Sequence, residues 1–236
     1  MNPAPSESLR ELRKAIQADA VLAELYAFCR ECGADDPAHD VAHAERVALW
    51  TLRLAPGVAR RTAIAAALLH DNVNLPKDSP DRARASELGA LEAARILPTL
   101  GFGEAETASI ADAIRTHSYS RGEAPTSELG RALQDADRLE TLGALGICRV
   151  LSTGTRLGAR YFEALDPWAL GRDLDDHSYT VDHFFTKLLR LADTMLTPEG
   201  RREARARTDY LWSFLEQLGC EIGVSLPAAR RGAEGG

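Results

Sequence analysis

The sequence has 236 residues, of which 45% are hydrophobic and 27% charged, an ordinary composition for a globular protein that is long enough to bury a core. Its formal net charge of −7 argues against binding to nucleic acid or to an anionic membrane, because both require a basic surface. No apolar run reaches the length of a membrane span, and the N-terminus lacks the apolar stretch of a signal peptide, so we expect a cytoplasmic protein.

The hydrophobic pattern along the chain is helical, and no segment shows the alternation that is typical of a strand. The predicted helices, in chain order, are 8–16, 19–30, 40–54, 58–69, 81–97, 104–116, 126–150, 181–196 and 199–222. The alanine-rich helix 58–69 is apolar on almost every side, which predicts a central position. Helix 126–150 is expected to break near Gly143 or Gly146, and the polar stretch 156–176 has no clear assignment.

These patterns predict an all-α protein with a single globular helical domain over residues 1–236. Its core is expected at about residues 20–222, with disordered ends at 1–7 and 227–236. Cys29 and Cys32 form a CxxC pair without a second pair, which favours reduced thiols packed on a helix over a zinc or redox site.

Several polar side chains occupy positions where the helical pattern favours apolar ones. His43 lies on the inward stripe of its helix, and His117 and Asp137 continue the apolar faces of two later helices. The pair His70–Asp71 directly follows the most apolar helix. A core histidine or a capping aspartate explains any one of these residues, but buried carboxylates need a compensating partner. A divalent ion would compensate all of them together, and imidazoles with carboxylates suit manganese, iron, cobalt, nickel or zinc.

At these positions the sequence resembles the HD superfamily of metal-dependent phosphohydrolases, whose signature is a histidine, an adjacent His-Asp pair and a distant aspartate. The matching motifs are HDVAHAERV around His43, AALLHD ending at Asp71 and LQDADRLETLGALGICR around Asp137. Together with THSYSR around His117 and KLLRLADTML near the end, they resemble the compact YedJ-like subgroup of bacterial HD proteins.

The resemblance extends over about residues 40–220 and implies an HD-domain fold with a metal site between core helices. It implies one divalent ion, Mn, Ni, Co, Fe, Zn or Mg, held by His43, His70, Asp71 and Asp137. The implied activity is hydrolysis of a phosphate ester or anhydride of a small molecule, with a nucleotide as the favoured substrate. In this superfamily, hydrolases of the stringent response carry a Glu-Asp pair just after the adjacent His-Asp pair. Here the pair His70–Asp71 is followed by NVNLPK instead, which disfavours guanosine tetraphosphate as the substrate.

Roles for individual residues follow from the needs of phosphoryl transfer. Asp71 is expected to be catalytic, binding the metal through one oxygen and accepting the proton of a metal-activated water through the other. Three residues are predicted to contact the phosphate: Lys77, His117 and Arg121. Arg46 and Arg138 are expected to contact the carboxylate ligands and fix their orientation, without contacting the substrate directly. Of the remaining histidines, His39 is assigned to the edge of the pocket, and His177 and His183 to the surface.

Two alternatives remain open at this point. Di-iron oxygenases of the HD fold use two further histidines between the doublet and the final aspartate, whereas this chain has one, His117. An HD module that senses a nucleotide without cleaving it is the second alternative, and the intact quartet of ligands argues against it. The expected partner is a small phosphorylated substrate, not nucleic acid or a membrane, and a homodimer stays open.

Overall fold

The computed structural model describes residues 8–32, 40–73, 84–118 and 122–231. Helices are the regular elements in these ranges, which confirms the predicted all-α class. The β-type pairing found there is an isolated bridge between Arg160 and Tyr179. The chain divides into two compact units, residues 1–137 and 138–236, which are described in turn.

Within its described ranges, the first unit contains seven helices and a 3₁₀ turn. They are α1 (Leu9–Ala18), α2 (Ala20–Cys32), α3 (Val41–Leu54), α4 (Arg60–Leu69), α5 (Ala85–Ile96), the 3₁₀ turn Leu97–Leu100, α6 (Glu104–Thr116) and α7 (Glu128–Leu139), whose last two residues belong to the second unit.

Helix α4 lies at the centre of the first unit. It packs against α2, α3 and α6, and every side chain from Thr62 to Leu69 is buried. Four alanines in this stretch allow neighbouring helices to approach closely while favouring the helical backbone. The predicted central position is therefore confirmed, and the end of α4 delivers the residues that follow it, His70 and Asp71, directly from the core.

Helix α1 is attached to its neighbours by polar contacts as well as by its apolar face. Ser8 caps the helix in a reciprocal capping box with Glu11. Arg13 donates two hydrogen bonds, of 2.6 and 2.7 Å, to the fully buried carboxylate of Glu45 in α3. The hydroxyl of Tyr26 in α2 donates a third bond of 2.8 Å to the same carboxylate. Three helices thus meet at one acidic side chain, two residues after His43.

The second unit contains four helices within its described residues, together with a 3₁₀ segment. They are α8 (Gly143–Arg156), α9 (Asp182–Thr186), the 3₁₀ segment Leu188–Thr194, α10 (Pro198–Ile222) and α11 (Ala228–Arg231). Helix α10 packs against α8 and against the 3₁₀ segment. Gly143 starts α8 with a φ of +69°, a conformation that favours glycine, so the predicted break in helix 126–150 falls at residues 140–142.

One prediction for the second unit differs from the structure. The predicted helix 181–196 is α9 followed by the 3₁₀ segment, because Lys187, with φ −136° and ψ −60°, leaves the helical region between them. The short helix α11 lies in the described part of the C-terminal stretch, and the predicted disorder of residues 227–236 stays a prediction. The guanidinium of Arg230 holds this helix in place by donating hydrogen bonds to the carbonyls of Trp168 and Ala169. The predicted single domain over residues 1–236 stays a prediction.

Candidate metal centre

His43 is fixed by the start of helix α3. Asp40 is the N-cap, and its carboxylate accepts a 2.8 Å hydrogen bond from the backbone N–H of His43, as the sequence predicts for a cap at this position. The first turn of α3 therefore directs the imidazole inward, where the residue is 1% exposed.

His70 occupies the C-cap of α4 and is oriented by its own helix. Its Nδ1 lies 2.7 Å from the carbonyl oxygen of Ala67. A carbonyl only accepts hydrogen bonds, so Nδ1 carries the proton and Nε2 of the neutral ring offers a lone pair to the site. This arrangement is typical of histidines that bind metals, whose second nitrogen donates to a backbone carbonyl or a carboxylate.

The side chains predicted as metal ligands come together at one point of the first unit. The Nε2 atoms of His43 and His70 are 3.1 Å apart. Asp71 Oδ2 lies 3.3 Å from the His70 Nε2 and 3.7 Å from the His43 Nε2. Asp137 Oδ1 lies 3.5 Å from the His43 Nε2 and 3.9 Å from the His70 Nε2. His43, His70 and Asp71 form a group whose ligand atoms all lie within 4.8 Å of one another.

The separations among His43, His70 and Asp71 fit a divalent ion between these three side chains. Two ligand atoms that are each about 2.1 Å from one ion lie roughly 3.0 Å apart at a right angle and roughly 3.7 Å apart at 120°. The histidine–carboxylate distances of 3.3–3.9 Å also exceed the length of a direct charge-assisted hydrogen bond, which is about 2.7–2.9 Å. The donor set of imidazole nitrogens and carboxylate oxygens suits a divalent transition metal.

The charges of the cluster attract a cation. Burial is the largest influence on the pKa of His70 and lowers it, but the Asp71 and Asp137 carboxylates outweigh burial and raise that pKa to about 9. Burial likewise raises the pKa of the Asp137 carboxyl, and the neighbouring His70 and His43 together outweigh it, so this pKa is lowered. A proton on His70 and a divalent ion are thus alternative ways to satisfy the same carboxylates.

A third histidine, His117, borders the same cluster. It is the C-cap of α6, with Nδ1 2.6 Å from the carbonyl oxygen of Ile114, and its Nε2 lies 3.7 Å from Asp71 Oδ1. The buried amide of Gln134 in α7 donates a 3.1 Å hydrogen bond to the carbonyl of Thr116, the residue before His117. Gln134 therefore ties the helix that carries Asp137 to the end of α6.

The other predicted site residues are placed less directly or lie outside the described ranges. Three of them lie outside the described ranges, and their predicted roles stay predictions: Lys77, Arg121 and His39. Arg46 is half-buried in α3, and Arg138 donates a 2.8 Å hydrogen bond to the carbonyl of Thr194. Arg138 thus contacts the backbone of its own unit, and the contacts with carboxylate ligands predicted for Arg46 and Arg138 stay predictions. His177 is exposed, and the half-buried His183 pairs with Asp176 through Nδ1 at 2.8 Å.

The structure adds contacts near the site that the sequence interpretation left out. Cys29 and Cys32 are free thiols, as predicted, and they line a small cleft that His43 and Asp71 also border. Burial, with the nearby charges of Cys32 and Asp71, raises the pKa of the Cys29 thiol to about 12, so this thiol is protonated at neutral pH. Gln134 was detectable in principle, because it precedes Asp137 by three residues on the same helical face.

Several known proteins are similar to this chain in sequence and fold. A model of the HD domain matches residues 41–142. YpgQ of Bacillus subtilis (strain 168) is 32% identical over 161 residues, which make up 66% of this chain and 70% of YpgQ. The crystal structure of YpgQ in complex with ADP is 27% identical, has a TM-score of 0.67, and covers 85% of this chain and 97% of the YpgQ chain.

Two further crystal structures are similar over most of their length. A predicted HD superfamily hydrolase from an uncultured Thermotogales bacterium is 29% identical, with a TM-score of 0.59 and coverage of 89% of this chain and 98% of that one. An HD-superfamily hydrolase from Bacillus thuringiensis is 26% identical, with a TM-score of 0.65 and coverage of 90% and 98%.

The fold and the site define an all-helical hydrolase-type domain with a candidate metal site at His43, His70 and Asp71. The chain belongs to the HD domain family. This membership confirms the resemblance found in the sequence and the predicted HD-domain fold. Within the described residues, no helix is both long enough and apolar enough to cross a membrane.

Proposed function

We propose that this protein is a metal-dependent phosphohydrolase that cleaves a phosphate ester or anhydride of a small molecule, with a nucleotide as the favoured substrate class. The observation that carries the proposal is that the Nε2 atoms of His43 and His70 lie 3.1 Å apart, and that each lies 3.3–3.9 Å from a carboxylate oxygen of Asp71 and of Asp137. A divalent ion bound there would polarise a phosphoryl oxygen and lower the pKa of a bound water towards about 7.

The exposure of the four side chains indicates from which side a substrate approaches. The imidazoles of His43 and His70 are 1% exposed, whereas the carboxylates of Asp71 and Asp137 are 30% and 27% exposed. The histidines therefore close the site towards the core, and the carboxylates border solvent. A substrate that arrives from solvent would meet the carboxylate side, and we expect Asp71 to accept a proton from the attacking water there.

An anionic substrate requires positive charge near these carboxylates. We expect Lys77 and Arg121 to supply it, because both follow site residues in the sequence by only a few positions. The relative YpgQ has been crystallised with ADP, which supports a nucleotide as the first substrate class to test.

The test is a phosphate-release screen of nucleotides and sugar phosphates with manganese, nickel, cobalt and magnesium. We expect metal-dependent turnover of at least one nucleotide, and we expect Asp71→Ala and Asp137→Ala to abolish it. Asp209→Ala, at an exposed position of α10, is the matched control and should retain full activity. Lys77→Ala is expected to raise KM more than it lowers kcat. Full activity in either site variant would refute the proposal.

The oxygenase alternative has its own measurement. Oxygen consumption by the ferrous-loaded protein, without phosphate release from any substrate in the screen, would favour that alternative over hydrolysis. Nucleotide binding to metal-replete protein without any phosphate release would favour a sensing module instead.

A further inference from the structure

His70 and Asp71 lie in a tight turn that Asn72 closes. The backbone N–H of Asn72 donates a 3.3 Å hydrogen bond to the carbonyl of Leu69, the last residue of α4. The two candidate ligands are therefore the central residues of a four-residue turn. Any movement of this turn would move both ligands together.

The side chain of Asn72 attaches the turn to helix α5. Its Nδ2 donates a 3.3 Å hydrogen bond to the backbone carbonyl of Gly89, and the residue is only 9% exposed. Helix α5 packs along α6, so this bond connects the turn to a pair of helices. The position of the ligands thus depends on a contact outside the ligand set.

The contact requires a glycine at position 89. A β-carbon added there would lie 2.7 Å from Asn72 Oδ1, closer than non-bonded atoms approach, and 3.6 Å from Ile114 Cγ2. Glycine inside a helix costs about 0.5–1 kcal/mol relative to alanine. The backbone of Gly89 is helical and does not need the conformational freedom of glycine, so the close approach of Asn72 accounts for this residue.

Stability alone does not account for Asn72 either. Its Oδ1 is buried and has no hydrogen-bond partner among the residues that the structure describes. A buried acceptor without a partner costs about 1–3 kcal/mol, so an apolar side chain of similar size would be more stable here. Asn72 and Gly89 both depart from the most stable choice, at one contact beside the candidate ligands. Such departures are typical of functional positions.

We propose that Asn72 is a positioning residue of the metal centre, which fixes the turn that carries His70 and Asp71 through its bond to Gly89. This inference rests on the proposed function, because that function assigns metal binding to the turn. Both polar atoms of the Asn72 amide face Gly89, so Asn72 acts through the ligands and is not a ligand itself. Replacing residues that orient metal ligands typically weakens metal binding by about 10- to 100-fold.

The experiment measures the Mn²⁺ affinity of the full chain by equilibrium dialysis, at a temperature where circular dichroism shows each variant to be folded. Asn72→Ala should bind Mn²⁺ about tenfold more weakly than the wild type, because the turn loses its attachment to α5. Gly89→Ala should weaken binding by a similar factor, because its β-carbon displaces the Asn72 amide.

The double variant Asn72→Ala/Gly89→Ala tests whether the two residues act through one contact. Its β-carbon at position 89 meets no amide, so its Kd should lie within about threefold of the Asn72→Ala value, whereas independent effects would multiply to about a hundredfold. If Gly89→Ala does not fold, Asn72→Ala alone decides, and a double variant that folds again would support the contact.

Gly154→Ala is the matched control. A β-carbon at Gly154 would clash with Thr180 Oγ1, so this substitution creates the same kind of conflict in the second unit. It should lower the free energy of unfolding measured with urea, yet leave the Mn²⁺ affinity at its wild-type value. A loss of stability without a loss of Mn²⁺ binding separates positioning from folding.

Three outcomes would overturn the inference: wild-type Mn²⁺ affinity in Asn72→Ala, multiplied effects in the double variant, or equal losses of affinity in Gly154→Ala and Gly89→Ala. Phosphate release by the wild type together with unchanged Mn²⁺ binding in Asn72→Ala would leave the proposed function standing alone. Weakened binding in Asn72→Ala, with no phosphate release by the wild type on any substrate, would support the positioning role and contradict the proposed function. A wild-type chain that binds no Mn²⁺ would overturn both.

Discussion

The contacts of a single side chain decide whether a buried charge is tolerated. Asp182 is 0% exposed, yet its carboxylate accepts hydrogen bonds of 2.5 and 2.9 Å from the guanidinium of Arg172 and one of 2.7 Å from the backbone N–H of Asp175. The ring of Tyr179 covers that guanidinium at 4.5 Å. The carboxylate also keeps the pKa of Arg172 above its ordinary value. These bonds organise the loop between α8 and α9, which the sequence left without assignment.

We therefore predict a large effect of Asp182→Ala on stability. Removing one partner of a buried ion pair costs about 3–5 kcal/mol, because the other charge stays buried without compensation. The free energy of unfolding of the variant, measured by urea denaturation, should fall by an amount in this range. Asp173→Ala, an exposed aspartate in the same loop, is the control and should change it by less than about 0.5 kcal/mol. Equal effects of the two substitutions would contradict the role given to Asp182.

Much of the site was predictable one residue at a time. The sequence predicts His43, His70, Asp71 and Asp137 as candidate ligands, because a periodic pattern shows which side of a helix faces inward. The pattern does not show which atoms meet. Which histidine each oxygen of Asp71 faces depends on side-chain rotations. The contact of Arg138 with a backbone carbonyl depends on a segment more than fifty residues away.

At the scale of the helix, α1 is held to its unit by a polar contact, the ion pair between Arg13 and Glu45, which we call the anchor. Its apolar face buries Leu12 and Ile16, while Arg13 reaches the buried carboxylate of Glu45 in α3. Glu45 lies two residues after His43, so the anchor acts on the helix that supplies a predicted ligand.

Arg13→Ala should loosen this helix selectively. The substitution leaves Glu45 with the Tyr26 hydroxyl as its donor among the three helices, and the lost charged hydrogen bonds should cost about 2 kcal/mol. Half of the Arg13 side chain is exposed, which keeps the cost below that of a fully buried pair. Hydrogen exchange should accelerate in the amides of Leu9–Ala18. Arg10→Ala, at an exposed position of the same helix, should leave the exchange unchanged, and equal acceleration in both variants would refute the anchor.

Helix boundaries were predictable where the chain carries its own signals. The predicted bounds of 104–116 coincide with α6, which begins after Gly103 with acidic residues in its first turn. The predicted helix 181–196 was less successful, because its apolar spacing fits a helix, yet Lys187 interrupts the backbone. In that segment tertiary packing overrides the local pattern, as it does at α11, whose arginine binds a distant loop.

At the scale of the whole molecule, charge and metal binding are connected. The chain carries a formal net charge of −7, and two of the carboxylates that contribute to it, Asp71 and Asp137, lie at the candidate site. An anionic phosphate would be repelled from such a site unless cations neutralise it. A metal at this site would therefore contribute to binding as well as to the proposed chemistry, and a protein of this charge is expected to take up divalent ions readily.

The last prediction concerns the stability of the full chain in the presence of metal. An ion that binds the folded state but not the unfolded chain stabilises it by RT ln(1 + [L]/Kd), about 2.7 kcal/mol at a hundredfold excess over Kd. For a chain of 236 residues this corresponds to a rise in Tm of roughly 5–10 °C. Mn²⁺ should produce this rise, and a chelator should reverse it. Protection in hydrogen exchange should appear within residues 40–137, since every predicted ligand lies there. Asp137→Ala should lose most of the Mn²⁺-dependent rise, whereas Asp173→Ala should keep it. An equal rise in both variants would show that Mn²⁺ stabilises the protein at some place other than this cluster.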